Sequence, residues 1–388
     1  MESDFFIKKE LEMKRNVYLC DRTLFFNHME RRLCYISRNY RAMDKAGNKA
    51  KTDNEETFRE MGAVNLGLPR TEYNNKVVTF FLDLIGVVRS CVMVRRDDVI
   101  LLQYPVKKYF SFICRMAHLR GAKTVALIHD LGSMRRKKLT VKHEISRLMN
   151  ADAVIASNDI MKGWLRDNGF TKPLGSLGLF DYRSKSRHSR VESRESRVES
   201  QVSPNTKPLT PNPRPILIYA GALNTRKNTF LLKIGDIISS YDLQIYGNRD
   251  GLPGLNDSEH VKVYGFMAAE DFIANIEGDF GLVWDGDSLD TCSGNFGEYL
   301  RWNSPHKVSF YLRAGLPVVV WSQAAVAPII KREGIGLCID SLSELDEVIN
   351  TITPEQMRQM RENVMNVSDR LCSGQFFKEA FGQIENKI

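Results

Sequence analysis

Three observations predict two α/β domains, each an open parallel sheet with helices on both faces, joined by a polar linker. Short, unbroken apolar runs alternate with helix-length segments through most of the 388 residues. Such runs suit strands buried on both faces, which parallel pairing through helical crossovers provides. The alternation stops between Ser184 and Pro215 and then restarts. The length also exceeds the roughly 250 to 300 residues at which one core gives way to two.

Residues 1–32 mix charges and aromatics without a period, Val17 to Cys20 being the strand-like run, and are read as an extension. The first domain, 33–183, opens with a strand from Tyr35 to about Tyr40, a polar loop from Arg41 to Lys51 and a helix from Asp53 to Met61 closed by Gly62. A helix over Lys76 to Val92 follows, then strand Val99 to Tyr104, stopped by Pro105, and a helix from about Tyr109 to Leu119. Strand Thr124 to Ile128 leads into a basic loop, Arg135 to Lys138, and a helix near Val141 to Met149. Strand Ala153 to Ala156 and a helix from Asp159 to Gly169 complete this half.

Residues 184–215 carry SRVES twice, at Ser189 to Ser193 and Ser196 to Ser200, followed by five prolines; they bury too little apolar surface to order themselves and read as a linker or insertion. The second domain, 216–352, restarts with strand Ile216 to Ala220 and a helix near Asn228 to Ser239. Strands Leu243 to Tyr246, Val261 to Tyr264, Gly281 to Trp284, Pro317 to Trp321 and Gly336 to Ile339 then alternate with helices over Ala269 to Ile276, Pro305 to Arg313, Ala325 to Arg332 and Ser343 to Thr351. This is a second Rossmann-like pattern. Residues 353–388 read as helices that pack back across both halves.

The formal charge of +8, from 55 basic and 47 acidic residues, suits anionic partners without specifying one. The seven cysteines are scattered and never spaced as CxxC, which disfavours a disulfide framework or a zinc site and points to a reducing, cytoplasmic location. The N-terminal Phe5 to Ile7 run is too short for a signal core. Val77 to Val88, interrupted by Asp83, is shorter than the roughly 20 residues a membrane span needs. It reads as a buried or amphipathic helix of a soluble protein.

Ligands of open parallel sheets sit beyond the carboxyl ends of the strands, so the residues there are the candidates for chemistry. In Asn303-Ser304-Pro305-His306-Lys307, Ser304 reads as an N-cap and Pro305 as the first helical residue. The free amides of His306 and Lys307 and the Lys307 charge would then face a phosphate. Capping without a ligand is the plain alternative. Gly221 to Lys227 places a glycine and then Arg226 and Lys227 at the mouth of the cleft, where fixed cations stabilise a departing diphosphate. Tyr246 could flank a base, with Gly247 and Asn248 letting the backbone approach it. Asp285-Gly286-Asp287 has the form of a metal-binding DxD pair, but turn chemistry or a sugar-hydroxyl contact ranks above a metal role. In the first half, Asp130 is a candidate general base or an orienter of His129, with a structural capping role equally open. Gly47, Asn48 and Lys49 follow the first strand and could touch donor phosphate or acceptor.

These residues resemble a bacterial GT-B family typified by glucosyltransferase 3 and related galactofuranosyltransferases. The resemblance is strongest in LVWDGD and NSPHKVSFYLRAGLPVVVW, between Leu282 and Trp321, and extends to AGNKAKTD, LIHDL, ADAVIASN and YAGALNTRK. It implies two facing Rossmann-like domains and a UDP-sugar donor held mainly by the second. Arg226 would contact the diphosphate, Tyr246 to Asn248 the nucleotide, and Ser304 to Ser309, including Val308, the diphosphate and ribose. The loop near Ala46 to Lys49 would close over the donor. The extension before Tyr35 and the Ser184 to Pro215 insertion depart from the family's compact pattern.

The function expected is hexosyl transfer, of glucose, galactose or galactofuranose type, from a UDP-sugar to a saccharide, glycolipid or glycoprotein acceptor in surface glycan assembly. No metal and no further cofactor is expected. Peripheral contact with the inner membrane face and self-association are compatible with the basic surface. Against this stands a protein that binds anionic polymers or membrane surfaces without transferase activity; no basic stripe interleaved with aromatics supports it, and no nucleic-acid partner is expected. The absence of GxGxxG after any strand counts against a nicotinamide enzyme.

Overall fold

A computed structural model describes residues 31–40, 46–106, 109–135, 139–186 and 214–388. The strand-like run Val17 to Cys20, the SRVES repeats and most of the basic loop after Arg135 lie outside the described residues.

The first half runs β1 (Leu33–Tyr35), α1 (Ala46–Glu60), β2 (Val64–Asn65), α2 (Lys76–Met93), β3 (Val99–Tyr104), α3 (Phe110–Leu119), β4 (Lys123–Ile128), α4 (Gly132–Arg135), α5 (Val141–Leu148), β5 (Ala153–Ala156), α6 (Asp159–Asp167) and β6 (Leu174–Ser176). The second contains β7 (Ile216–Ala220), β8 (Asp242–Tyr246), β9 (Val261–Tyr264), α7 (Ala269–Asn275), β10 (Phe280–Val283), α8 (Gly294–Tyr299), α9 (His306–Arg313), β11 (Val318–Trp321), α10 (Ala327–Glu333), β12 (Gly336–Ile339) and α11 (Leu345–Asn350). Helices α12 (Pro354–Cys372) and α13 (Gln375–Gly382) close the chain.

Each half carries one six-stranded sheet, in the orders β2-β1-β3-β4-β5-β6 and β9-β8-β7-β10-β11-β12. Every strand pairing is parallel. The central strands β5, β10 and β11 are buried along their whole length, as the unbroken apolar runs require. Chain order reverses between β1 and β3 in one sheet and between β7 and β10 in the other. At such reversals the connections leave in opposite directions and open a crevice at the carboxyl ends of the strands.

Two segments differ from expectation. The first strand ends at Tyr35, and the helix begins at Ala46 rather than Asp53, so Gly47, Asn48 and Lys49 lie in its first turn and not in a loop. Their polarity is accommodated locally: Lys49 pairs with Asp53 one turn on, and the Thr52 hydroxyl bonds the Asn48 and Lys49 carbonyls. The helix expected near Asn228 to Ser239 is instead two 3₁₀ turns, Thr229–Leu232 and Ile234–Asp236. There the Phe230 amide donates to the Gly286 carbonyl at 3.2 Å, a tertiary partner that competes with a helical ladder. Edge strands β2 and β6 and the short α8 were too brief to show a period.

The C-terminal helices do span both halves. Helix α12 packs on α9, while α13 returns to the first half, where Phe377 meets the Phe58 ring at 4.7 Å. Gly374 makes the turn between them at φ 72°; a Cβ there would lie 2.4 Å from the Thr57 hydroxyl, so both backbone and space demand glycine. The start of α13 has no cap of its own, and buried Asp181 supplies one by accepting from the Phe376 and Phe377 amides at 3.2 and 2.9 Å. Replacing Asp181 with Ala strands both amides and is expected to destabilise the protein by about 1–3 kcal/mol. A fall in the urea midpoint with unchanged slope would show it; an unchanged midpoint would mean the cap is dispensable.

Candidate active site at the interdomain cleft

The loops that leave β4, β5 and β6 meet the segment that leads into α9, so the carboxyl ends of the two sheets face one cleft. The Leu131 amide donates to the Tyr299 hydroxyl at 3.1 Å. Asn158, which caps α6 through its carbonyl oxygen, uses its amide to reach the Trp302 carbonyl at 3.0 Å and the Ser304 hydroxyl at 3.1 Å. The Ser304 hydroxyl in turn donates toward the Ser157 and Gly178 carbonyls at 2.9 and 2.7 Å. Ser309 donates to the Phe180 carbonyl at 2.6 Å.

This seam corrects the reading of Ser304 as an N-cap. The capping position falls on Pro305, which offers no side-chain bond, while Ser304 is spent on the facing domain. The Ser157 and Gly178 carbonyls are fixed acceptors of the facing domain, and the Ser304 hydroxyl, 4 % exposed, has its one proton directed between them. The amides of His306 and Lys307 still lack intrahelical acceptors, as first-turn amides do. Val308 is core, and the Asn303 side-chain oxygen is buried without a partner.

At the β7/β10 reversal, Gly221 adopts φ 145°, and a Cβ on it would stand 3.7 Å from the Lys307 Nζ. That Nζ lies 3.7 Å from the centre of the Tyr219 ring, a cation–π contact. Lys307 keeps partial access to solvent, yet burial of its ammonium lowers the pKa to about 7, with Lys227 adding to the fall and Asp285 opposing it. Lys227 pairs with Asp285 at 3.3 Å, while the other Asp285 oxygen is buried and unpartnered. Asp287 instead accepts from the Ser293 hydroxyl, so the two DxD carboxylates serve different partners. Among the described residues no group of three or more His, Cys, Asp or Glu side chains could hold a metal ion.

Around this centre, Arg226 is exposed and its amide donates to the Asn224 side chain at 3.1 Å. Tyr246 stacks on Tyr264 with centres 4.9 Å apart and planes 10° apart, and Phe266, beyond β9, stands 73 % exposed. At Gly247 a Cβ would lie 2.5 Å from the Gly221 carbonyl, so the missing side chain lets these two loops pack. Asn248 is exposed and bonds the Asp250 amide.

Across the cleft, His129 stacks on Phe180 at 5.0 Å and its Nε2 lies 2.9 Å from the Gln103 carbonyl oxygen. Burial holds its pKa well below the usual value, with Lys51 and His306 contributing, so the ring is neutral. His306 sits between Phe180 and Tyr182, and burial beside Lys49 lowers its pKa to about 3. Its ring therefore brings no positive charge to a phosphate. Asp130 pairs with Arg135 at 2.5 Å and stays partly accessible. The loop that carries it is anchored by buried Glu144, which accepts from the Gly132 and Ser133 amides at 2.9 and 2.7 Å.

Lys49 donates to Asp53 and to the Arg183 carbonyl, and its Nζ lies 4.8 Å from the Tyr182 ring centre. Gly47 is exposed with open space around it. Asn48 instead lines a cavity of about 480 Å³ at the β1/β3 reversal, together with Arg38, Asn39, Lys51, Asn74 and Gln103. Most of that lining, and the Ser157–Asn158 half of the seam, escaped the sequence reading. The strand-end rule leads to the cleft, but β1 is shorter than the sequence suggests and the cavity's second wall comes from α2.

Two Rossmann-like domains whose strand ends share a cleft make up the GT-B architecture. Residues 217–384 match the family described as "Glucosyltransferase 3-like, C-terminal domain" and residues 33–179 match its N-terminal counterpart. The chain belongs to this glucosyltransferase 3-like family and is a glycosyltransferase. It is 32 % identical over 291 residues to the beta-1,6-galactofuranosyltransferase WbbI of Escherichia coli K12, covering 74 % of this chain and 79 % of that one. Over 125 residues it is 31 % identical to glucosyltransferase 3 of Streptococcus gordonii, covering 32 % of this chain and 36 % of that one. Among solved structures, that of Anabaena HepE in complex with UDP-glucose superposes with a TM-score of 0.53 at 11 % identity over 92 % of this chain and 99 % of that one, a likeness of fold alone.

Replacing Ser304 with Ala removes a hydroxyl from three buried partners and is expected to cost about 1–3 kcal/mol of stability. Chemical denaturation would report it, and a midpoint equal to that of the wild type would show that water replaces the hydroxyl at the seam.

Proposed function

We propose that the protein transfers a hexose from a UDP-sugar to a saccharide acceptor, without a divalent cation at the leaving group. The observation that carries this reading is Lys307, a cation held at the mouth of α9 beside Lys227 in surroundings that disfavour its charge. Two crowded ammonium groups with Asp285 as their counter-charge are stabilised further by an anion, and a diphosphate between the Gly221 loop and the first turn of α9 would supply one. Asp285 and Asp287, turned to different partners, are not arranged as a shared ligand pair.

Transfer breaks the bond between the sugar's anomeric carbon and the diphosphate oxygen and forms one from the acceptor oxygen to that carbon. The acceptor's hydroxyl proton must leave, and negative charge grows on the departing UDP. Lys307, Lys227, Arg226 and the His306 and Lys307 amides would stabilise that charge. Tyr246 to Asn248 would flank the nucleotide, with the Tyr246–Tyr264 stack as its platform. The acceptor would enter from the first domain through the cavity at the β1/β3 reversal, with Asn48 in its lining and Gly47 and Lys49 beside it in the first turn of α1. Asp130, partly accessible and oriented by Arg135, would take the proton, and neutral His129 would hold the wall beside it. Peripheral contact with an anionic membrane face fits the charge of +8.

Titration of UDP in chelator is expected to show Lys307→Ala binding at least about tenfold more weakly than wild type, about 1.4 kcal/mol. Unchanged affinity would place the diphosphate elsewhere. The pH dependence follows from the pKa of about 7 in the free protein. A bound diphosphate raises it, so binding takes up a proton and affinity falls as pH rises from about 7 to 9. That slope should vanish in Lys307→Ala. Asp130→Asn is expected to lower kcat by about 10²- to 10⁴-fold with UDP affinity retained; wild-type turnover would assign the proton to another group.

A further inference from the structure

Helix α2 has two unlike faces. Its inner face buries Thr79, Gly86, Val87 and Ser90. Its outer face shows Val77, Phe81, Ile85, Val88 and Val92 at 63, 54, 52, 54 and 68 % exposure. Steps of four, four, three and four residues place these five on one stripe of a helix with about 3.6 residues per turn. Val78, 40 % exposed, widens the stripe, and α3, which packs beside α2, exposes Phe112 and Leu119 at 49 and 79 %. Among the described residues nothing covers this surface, and contiguous exposed apolar area of this kind marks an interaction site.

Charge decides the partner. Between Lys76 and Arg96 stand four cations, Lys76, Arg89, Arg95 and Arg96, and one acid, Asp83, which is already paired with Arg38. The next acid, Asp97, sits 3.8 Å from the Arg96 side chain. Both ends of the helix are basic, so a second copy paired through this face in either direction would set cations against cations. An anionic bilayer complements both features, with apolar side chains at the acyl boundary and cations among the phosphates. No helix among the described residues is long and apolar enough to cross a membrane, which leaves docking in the plane of the surface.

We propose that α2 docks the protein on an anionic lipid surface. The inner face of the same helix places Thr79, Asp83 and Val87 in the wall of the β1/β3 cavity. Docking therefore sets that cavity about one helix diameter, some 10 Å, from the lipid. The acceptor then presented there is a sugar carried on a lipid, a consequence that rests on the cavity being the acceptor site; the docking itself does not.

The test uses the full chain and sedimentation with vesicles of equal phosphatidylcholine and phosphatidylglycerol, against phosphatidylcholine alone. Binding is expected only with the anionic lipid. It should fall at least about tenfold in Phe81→Glu/Val88→Glu and also fall in Arg95→Ala/Arg96→Ala. UDP affinity and thermal midpoint should match wild type in both variants, which separates a failure of docking from a failure of the donor site or of folding. Absence of wild-type binding, equal binding to both vesicles, or equal binding by the Glu variant would overturn the proposal. So would a dimer in light scattering that the Glu variant dissolves, which would give the surface to a second copy.

Discussion

One buried hydroxyl ties the two halves together. Ser304 lies in the turn between α8 and α9, and it meets two carbonyls and one amide of the facing domain. Carbonyls at the ends of β5 and β6 have run out of strand partners, and a buried carbonyl without a donor is costly. The seam satisfies them from across the cleft and so fixes where α9 begins. The geometry of His306, Lys307 and the Gly221 loop follows from that placement.

Electrostatics around Lys307 depends on the same constraint. With α9 held against the first domain, Lys307 is carried under the Gly221 loop and over the Tyr219 ring, where water is thinned and its charge is disfavoured. Lys227 and Asp285 reach the same centre from the loops after β7 and β10. Each of those loops leaves its strand at the reversal of chain order, the place where a parallel sheet opens a crevice. A diphosphate there would meet cations and amides already in position, without the cost of gathering them in the transition state. The neutral rings of His129, stacked on Phe180, and His306, tilted against Phe180 and Tyr182, form an aromatic wall in the cleft.

Helix α2 shows how one element serves two surfaces. Its buried stripe holds Thr79 and Asp83 against the first cavity, while on its outer stripe Phe81, Ile85 and Val88 are without cover among the described residues. The apolar run Val77 to Val88 read as a buried or amphipathic helix, and the helix is there, but its small and polar side is the buried one and its apolar side is exposed. Folding accounts for the inner face; the outer face needs a partner.

The sequence by itself determined the alternation of strands and helices, the two-domain division into parallel sheets, and the strand ends at which Lys307, the Gly221 loop, His129 and Asp130 stand. These follow from local periodicity and from the rule that ligands gather at carboxyl ends of parallel strands. Tertiary structure alone decided what each polar side chain does once there. Whether Ser304 caps its own helix or bonds the opposite domain depends on carbonyls 126 and 147 residues away in the chain. Which loop Gly247 packs against depends on where the Gly221 carbonyl falls. Asp285 and Asp287 look alike in sequence, and only packing gives one to Lys227 and the other to Ser293. Hydrogen bonds and charges act over a few ångströms in space, and the distance along the chain carries no record of which groups come that close.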